Sequence, residues 1–522
     1  MAYMQSAASN RLEVDLIADA YLQRDKQVRT LRSFFAGTNG RNSAEIELSR
    51  PIYGRERGLA YIAAVRASSI LKNFELRPVR VYPLAARAMS SLDAKLKGAL
   101  RSREQRLIRR RLPDPIADTG LVDFSSNDYL SLSRSPILRS RFLRKLQGAS
   151  DVLGSGGSRL LVNGPAHVAL EARLTRFFSA PAALLFNSGF DANVGFFSCI
   201  PQTGDAIVFD EHIHASVHDG MRASHVAPTF RRSFTHNSIA ALRDTLLELL
   251  EEQADLRSGL SSVFVAVETL YSMDGTIAPL REMVEMVEEL LPRGNGYFVV
   301  DEAHLTGVYG PQGRGLVAML GLERRVLMRL HTFGKALAGT GAVILTNELI
   351  RDYLLNYARS LIYTTSLSYA NIISADCSFD LLEDGTATEL STTLLELSTH
   401  FLTLFRRQTR AIPLSLLALP PHLAVTVSVS QSLPPPIIPV LTPYPRPLSA
   451  YLRKQGLNAR PITWPTVPKG RERIRVCLHA GNTRGEVEML VRAMVEWAEE
   501  WQRSNSALDI DVEDIGRFQA KL

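Results

Sequence analysis

Phe298-Val299-Val300-Asp301-Glu302-Ala303-His304 is the stretch from which the fold can be read. A short apolar run that stops at an acidic pair reads as a buried strand ending at the rim of a sheet. In an open parallel sheet, functional groups gather at such carboxyl ends. An acidic pair there could bind magnesium for nucleotide hydrolysis, but that chemistry needs a GxxxxGK[ST] phosphate loop upstream. None occurs. The nearest Gly-Lys pair, Gly334-Lys335, lies downstream and is followed by Ala336.

Outward from this strand the pattern repeats. Ala183–Phe186, Ala206–Phe209, Val263–Val267 and Ala342–Leu345 are further short apolar runs. Helical patterns at Ile239–Ala254 and Leu280–Leu291 lie between some of them. Alternation of this kind predicts an α/β unit with a mostly parallel sheet. Beyond about Leu367 come a long helical stretch to Thr409, a Pro-rich passage (Leu433 to Pro447), a helix, a strand (Arg473–Leu478) and a last helix (Arg484–Arg503). They predict a smaller C-terminal α/β domain. Ser91 to Arg111 predicts an amphipathic helix stopped near Pro113. The expected organisation is an N-terminal extension (1–90) with short helical patterns but no motif, a segment 91–150, a large domain 151–370, a small domain 371–505, and a flexible tail 506–522.

The 522 residues are 46% hydrophobic and 22% charged, which excludes wholesale disorder and a fibrous rod. Three cysteines without CxxC spacing make neither a disulfide framework nor a zinc site. The net charge of +7 is mild, and no RNP, zinc-finger or homeodomain signature occurs, so nucleic acid is not an expected partner. No run of 18 apolar residues exists, so no membrane insertion is expected. The N-terminus lacks the apolar core of a secretory signal, and Glu13, Asp15 and Asp19 argue against a mitochondrial presequence. Ala520-Lys521-Leu522 nearly matches the Ser-Lys-Leu address read by the peroxisomal import receptor. The expected location is therefore the peroxisome, with the cytoplasm as alternative. Arg101, Arg103, Arg106, Arg109, Arg110 and Arg111 form either a solvated helix face or a docking surface for an anionic substrate.

Four further stretches carry chemistry. Lys335, in His331-Thr332-Phe333-Gly334-Lys335, sits between an apolar run and a further strand. Burial at such a place lowers a lysine pKa and makes the amine a nucleophile for a carbonyl. Asn187-Ser188-Gly189-Phe190 follows a strand and precedes a helix, a turn that presents N–H groups to an anion. Gly154-Ser155-Gly156-Gly157-Ser158-Arg159 lacks the third glycine of a dinucleotide fingerprint and reads as a loop. In Asp210-Glu211-His212-Ile213-His214, the i, i+2 histidines are not the helical HExxH spacing, and no metal is expected.

Together with Ser272-Met273-Asp274-Gly275 and Ser125-Ser126-Asn127-Asp128-Tyr129-Leu130, these motifs in this order resemble the pyridoxal-phosphate α-oxoamine synthases of the fold-type I aminotransferase superfamily. The resemblance runs from about Ser91 to Arg503, and within the family it is strongest to the branch that joins L-alanine to pimeloyl-CoA in biotin synthesis. It implies a homodimer that binds pyridoxal 5'-phosphate and takes an amino acid and an acyl-CoA. It also implies the site residues. Lys335 would hold the cofactor as a Schiff base, with Asp301 against the ring nitrogen, Ser272 and His304 at the phenolic oxygen, and His214 on the ring face. Ser188, Gly189, Phe190 and Thr332 would hold the phosphate, and Thr365 would reach a phosphate in the other subunit. Arg475 would bind the amino-acid carboxylate, Arg109 the carboxylate of the acyl chain, and Thr466 would lie near the substrate. Relatives use glycine or serine with other acyl-CoAs, and a non-catalytic partner subunit would usually lack the lysine. The sequence departs from the family at Leu305, where Gly or Ser is usual and crowding near His304 is expected, and at Ser131, where Gly is common.

Overall fold

The computed structural model describes residues 91–106, 108–114, 116–424 and 433–519, with side chains to 504. The sequence expectations for residues 1–90 and for Ala520-Lys521-Leu522 lie outside the described residues. The described residues from Leu92 onward form one compact unit.

Among the described residues twelve strands occur, in chain order. They are β1 (Val122–Asp123), β2 (Ala182–Phe186), β3 (Ala206–Asp210), β4 (Arg231–Phe234), β5 (Val263–Glu268), β6 (Gly296–Asp301), β7 (Met328–Thr332), β8 (Ala342–Thr346), β9 (Ile437–Leu441), β10 (Leu457–Asn458), β11 (Arg460–Ile462) and β12 (Arg473–Cys477). The central sheet has seven strands in the order β2-β8-β7-β6-β5-β3-β4. The pairs β7–β6, β6–β5, β5–β3 and β3–β4 are parallel, and β8 runs against both its neighbours. This is the mostly parallel α/β architecture expected for a fold-type I transferase.

Period-two alternation divides the core between the two faces of this sheet. Val208, Val265, Val300 and Val343 pack on one face with the helices Ile239–Glu252 and Leu280–Leu290. Ile207, Phe264, Val299, Leu330 and Ile344 pack on the other, against Phe196 and Phe197 of the helix Gly189–Cys199. Both faces are covered, which is why these strands are continuous apolar runs.

A second, antiparallel sheet has the order β11-β12-β9. The segment after β1 is bound to it. The Cys477 amide donates to Phe124 O (2.9 Å) and the Ala480 amide to Tyr129 O (2.7 Å). Residues 122–131 are thus held against the C-terminal sheet, from the far end of the chain.

Three expectations are corrected in detail. The helical stretch after Leu367 is two helices, Tyr369–Glu383 and Thr386–Gln408, broken at Gly385 with φ +90°. The Pro-rich passage contains β9, an edge strand, where a proline in the ladder is tolerated. The last helix runs from Arg484 to Gln519, so the backbone of 506–519 is helical where a flexible tail is expected. No proline interrupts that stretch.

Candidate active site

The carboxyl ends of four neighbouring strands deliver the reactive groups. β6 ends at Asp301, β5 at Glu268, β3 at Asp210 just before His214, and β7 at Thr332 just before Lys335. Glu268 and Asp301 face each other in register across β5 and β6.

Lys335 lies in the loop from β7 to β8. The loop is closed by Phe333 N to Gly341 O (2.9 Å), Gly339 N to Phe333 O (2.7 Å) and Ala338 N to Lys335 O (2.9 Å). Removal from water pushes the Lys335 amine down to about 8. The carboxylates of Asp301 and Glu268 pull the other way, and Arg475 adds to the depression. The neutral fraction near pH 7 thus rises from a trace to roughly a tenth, which favours a nucleophilic amine.

Asp301 is held at both oxygens. Oδ1 accepts from the Ala303 amide (2.9 Å) and Oδ2 from Asn193 Nδ2 (2.9 Å). Asn193 also donates to Ser216 Oγ (3.0 Å), and that hydroxyl lies 2.7 Å from His214 Nδ1. The Ser216 amide donates to the same nitrogen (3.2 Å). His214 Nδ1 is therefore an acceptor, and in the neutral ring the proton sits on Nε2. Burial holds His214 below its ordinary pKa, with Lys335 adding to the effect and Asp301 opposing it.

His304 is buried, and its Nδ1 lies 2.7 Å from Tyr129 Oη. Burial, then the charges of Lys335, Arg475 and His214, hold it well below the ordinary histidine range, so it is neutral. Glu302, between Asp301 and His304, has another task. It accepts from the amides of Leu316 (2.9 Å) and Val317 (2.7 Å), capping the helix Leu316–Leu320, and burial lifts its carboxyl to about 7. The two acids of Asp-Glu-Ala-His thus have separate partners, which leaves no paired metal site there.

Ser188 caps the helix Gly189–Cys199, its Oγ accepting from the Asp191 amide (3.1 Å). A Cβ on Gly189 would stand in contact with Thr332, 3.8 Å from its Oγ1. The Ser188-Gly189-Phe190 turn and Thr332 thus meet at a helix N-terminus, a natural cradle for an anion. Phe190 is exposed and meets the His214 ring edge to face, centroids 6.4 Å apart.

The second sheet supplies Arg475, buried in mid-strand on β12. Nε donates to Ser272 O (2.5 Å) and Nη2 to Asn127 Oδ1 (3.0 Å), and Tyr129 Oη donates to the same Asn127 oxygen (3.2 Å). Ser272 therefore enters the group through its carbonyl.

The remaining expected residues lie differently. Thr365 is exposed, and its carbonyl accepts from Asn187 Nδ2 (2.7 Å) beside the Ser188 turn. Arg109 pairs with Glu104 at 3.2 Å on the surface, and Thr466 is exposed, its amide bound to Thr463 O (3.0 Å). Within one chain Arg109 is thus engaged by Glu104. Arg106 stacks over the Trp464 ring at 5.8 Å, which does bring the arginine segment to the Thr466 loop. Leu305 is fully buried in the hydrophobic core.

Sequence reading missed Asn193 and Glu268, and it gave no role to Ser216 in the His214-Ala215-Ser216 motif. Asn193 had a signal, a lone amide in an otherwise apolar helix turn, and Glu268 had another, an acid ending a strand just as Asp301 does.

This donor set fits pyridoxal phosphate. It offers a depressed lysine amine for the aldehyde, a fixed carboxylate for the ring nitrogen and an N–H cradle for the phosphate.

Comparison with known proteins agrees. The profile of the family aminotransferase class I and II matches residues 119–494. The chain is 47% identical over 416 residues to 8-amino-7-oxononanoate synthase of Emericella nidulans, covering 79% of this chain and 97% of that one. It is 39% identical to the aminoacyl transferase sphA of Aspergillus fumigatus, covering 76% of this chain and 83% of that one. Among solved structures, serine palmitoyltransferase of Sphingomonas wittichii matches with a TM-score of 0.64 at 24% identity, over 79% of this chain and 99% of that one. The 8-amino-7-oxononanoate synthase of Francisella tularensis matches with a TM-score of 0.56 at 24% identity, over 73% and 99%. These two likenesses bear on the fold. On the family profile and the near relatives, the chain belongs to the aminotransferase class I and II family and, within it, to the α-oxoamine synthases, pyridoxal-phosphate-dependent acyltransferases.

Proposed function

We propose that this chain condenses L-alanine with pimeloyl-CoA, giving 8-amino-7-oxononanoate, CoA and carbon dioxide. The observation that carries the reading is the buried Arg475, tied to Ser272 and Asn127 and close enough to Lys335 to depress its amine. The name and full-length likeness of the Emericella nidulans relative support the choice of substrates.

Bound pyridoxal phosphate supplies an electron sink for the charge left at the α-carbon when a proton, and later carbon dioxide, departs. The residues of the chain do the rest. Lys335 Nζ would hold the cofactor and, as a free amine, would be placed to take the substrate's α-proton, a task suited to an amine pushed down to about 8. Asp301, its oxygens fixed by Asn193 and Ala303, is the carboxyl group that would face the ring nitrogen. The Arg475 guanidinium binds the substrate carboxylate and so fixes which α-bond is presented. His304, held neutral, can donate or accept one hydrogen bond without adding charge. Burial of these groups strengthens every electrostatic contact among them.

Thr365 is exposed beside the Ser188 turn, and a second copy of the chain placing Thr365 at the neighbouring phosphate would complete the site. The test is purified protein with pyridoxal phosphate, assayed for thiol release with alanine, glycine and serine against a panel of acyl-CoAs. Alanine with pimeloyl-CoA should be the preferred pair. A clear preference for serine or for long-chain acyl-CoA would replace this reading by that of a different α-oxoamine synthase, toward which the 39% identity to the sphA transferase points.

A further inference from the structure

Outside the Lys335 group, four donor side chains from three strand exits converge. Asp210 ends β3, His212 follows two residues later, His236 lies in the turn after β4, and Asp274 lies in the turn after β5. None has a part in the chemistry above. His236 Nδ1 is 2.8 Å from Asp210 Oδ1, and His212 Nδ1 is 3.2 Å from Asp274 Oδ2. The two imidazoles stack with centroids 4.2 Å apart and planes 22° apart. One ligand atom each from Asp210, His212 and His236 lies within 4.8 Å of the others.

The cluster has an inner and an outer side. Asp210 is fully buried, and its carboxylate is aimed by the amides of His212 (2.9 Å) and Asn237 (2.8 Å). Thr276 Oγ1, 2.7 Å from His236 Nε2, orients that ring in the way that outer partners orient metal-bound histidines. His212 is exposed, so an ion has a path in.

We propose that Asp210, His212 and His236 form a binding site for a divalent transition-metal ion, zinc being the best match, while Asp274, paired with Arg473 at 2.7 Å through its other oxygen, stands beside the three. Two imidazoles with a carboxylate suit zinc, whereas magnesium and calcium prefer oxygen alone. Zinc bonds of about 2.0–2.2 Å put tetrahedral ligand atoms roughly 3.3–3.5 Å apart. The cluster need close only by about an ångström, within the reach of one side-chain rotation, and the exposed His212 is the member that can turn. The i, i+2 histidine spacing in the sequence gave no metal signature because the partner of His212 is His236, from another strand exit. His214, by contrast, belongs to the Asp301 network.

The test uses EDTA-washed holoenzyme titrated with Zn2+ by calorimetry and with Co2+ by visible spectroscopy. One ion per protomer is expected, with cobalt d–d bands of a tetrahedral nitrogen–oxygen site. His212→Ala and His236→Ala should each weaken uptake at least tenfold. His212→Ala, altered only at an exposed ring, should keep the cofactor absorbance and the melting curve of the unaltered protein. No measurable uptake, or uptake unchanged in the His212→Ala protein, overturns the proposal.

Discussion

The two sheets of this protein contribute to one site in opposite ways. The seven-stranded sheet delivers Asp301, His214 and Lys335 just beyond the ends of its strands, on turns whose environments differ from residue to residue. The three-stranded sheet delivers Arg475 from the middle of β12, paired with Pro439 on one side and Arg460 on the other. On the proposed function, the groups that would move protons stand where burial can be tuned, and the group that would grip the substrate stands where the backbone cannot yield. On this division, damage to the first set should abolish chemistry, and damage to the second should weaken binding.

The largest effect belongs to Lys335. Lys335→Ala should remove the visible absorbance of the bound cofactor and lower kcat by about 10⁴-fold, since both anchor and base are lost. Asp301→Asn keeps the shape and removes the charge. It should retain cofactor but lower kcat by roughly 10²–10³-fold, the scale seen when one preorganised electrostatic partner is removed. Arg475→Lys should leave the absorbance intact and raise KM for the amino acid by about 10–100-fold, as expected for losing a charge-assisted pair of hydrogen bonds. If Arg475→Lys lost cofactor as Lys335→Ala does, the division between the two sheets would fail.

How much of this was legible in the sequence follows the same division. Asp301 could be read because it stands directly after an apolar run, and Lys335 because it lies in a loop between two such runs, for buried strands declare themselves by composition; the part given to His304 came through family likeness. The grip around Arg475 could not be derived from pattern. Its partners Asn127 and Ser272 lie 348 and 203 residues away, and only the folded chain brings them together. It was reached through family likeness alone. β4, Arg231-Arg232-Ser233-Phe234, escaped notice because an edge strand need not be apolar. β9 was hidden by Pro434, Pro435, Pro436 and Pro439, which read as a loop although the edge position admits them. Glu302 looked like half of an acidic pair, and only the amides of Leu316 and Val317 show it to be a helix cap.

The smallest expected effect separates the two faces of the central sheet by pH. His304 stands on the side of the site, whereas His331, on β7 just before Thr332, points into the core, its ring 4.1 Å from that of Phe178 and its Nδ1 2.9 Å from Thr306 Oγ1. Burial holds both well below the ordinary histidine pKa. Below about pH 6.5 the unfolded chain therefore binds protons at these positions that the folded chain does not, and unfolding is drawn forward as pH falls. Each contributes stability that is present above the ordinary value and lost beneath it, at up to about 1.4 kcal/mol per pH unit. His212, lifted by Asp274, works in the opposite sense. Urea unfolding of the apoprotein between about pH 7 and pH 5 measures the slope. His331→Asn and His304→Asn should each flatten it by a similar amount, although only His304→Asn should also disturb catalysis. Equal slopes in all three proteins would mean that neither ring is kept neutral by the fold, and the neutral His304 assumed at the site would have to be given up.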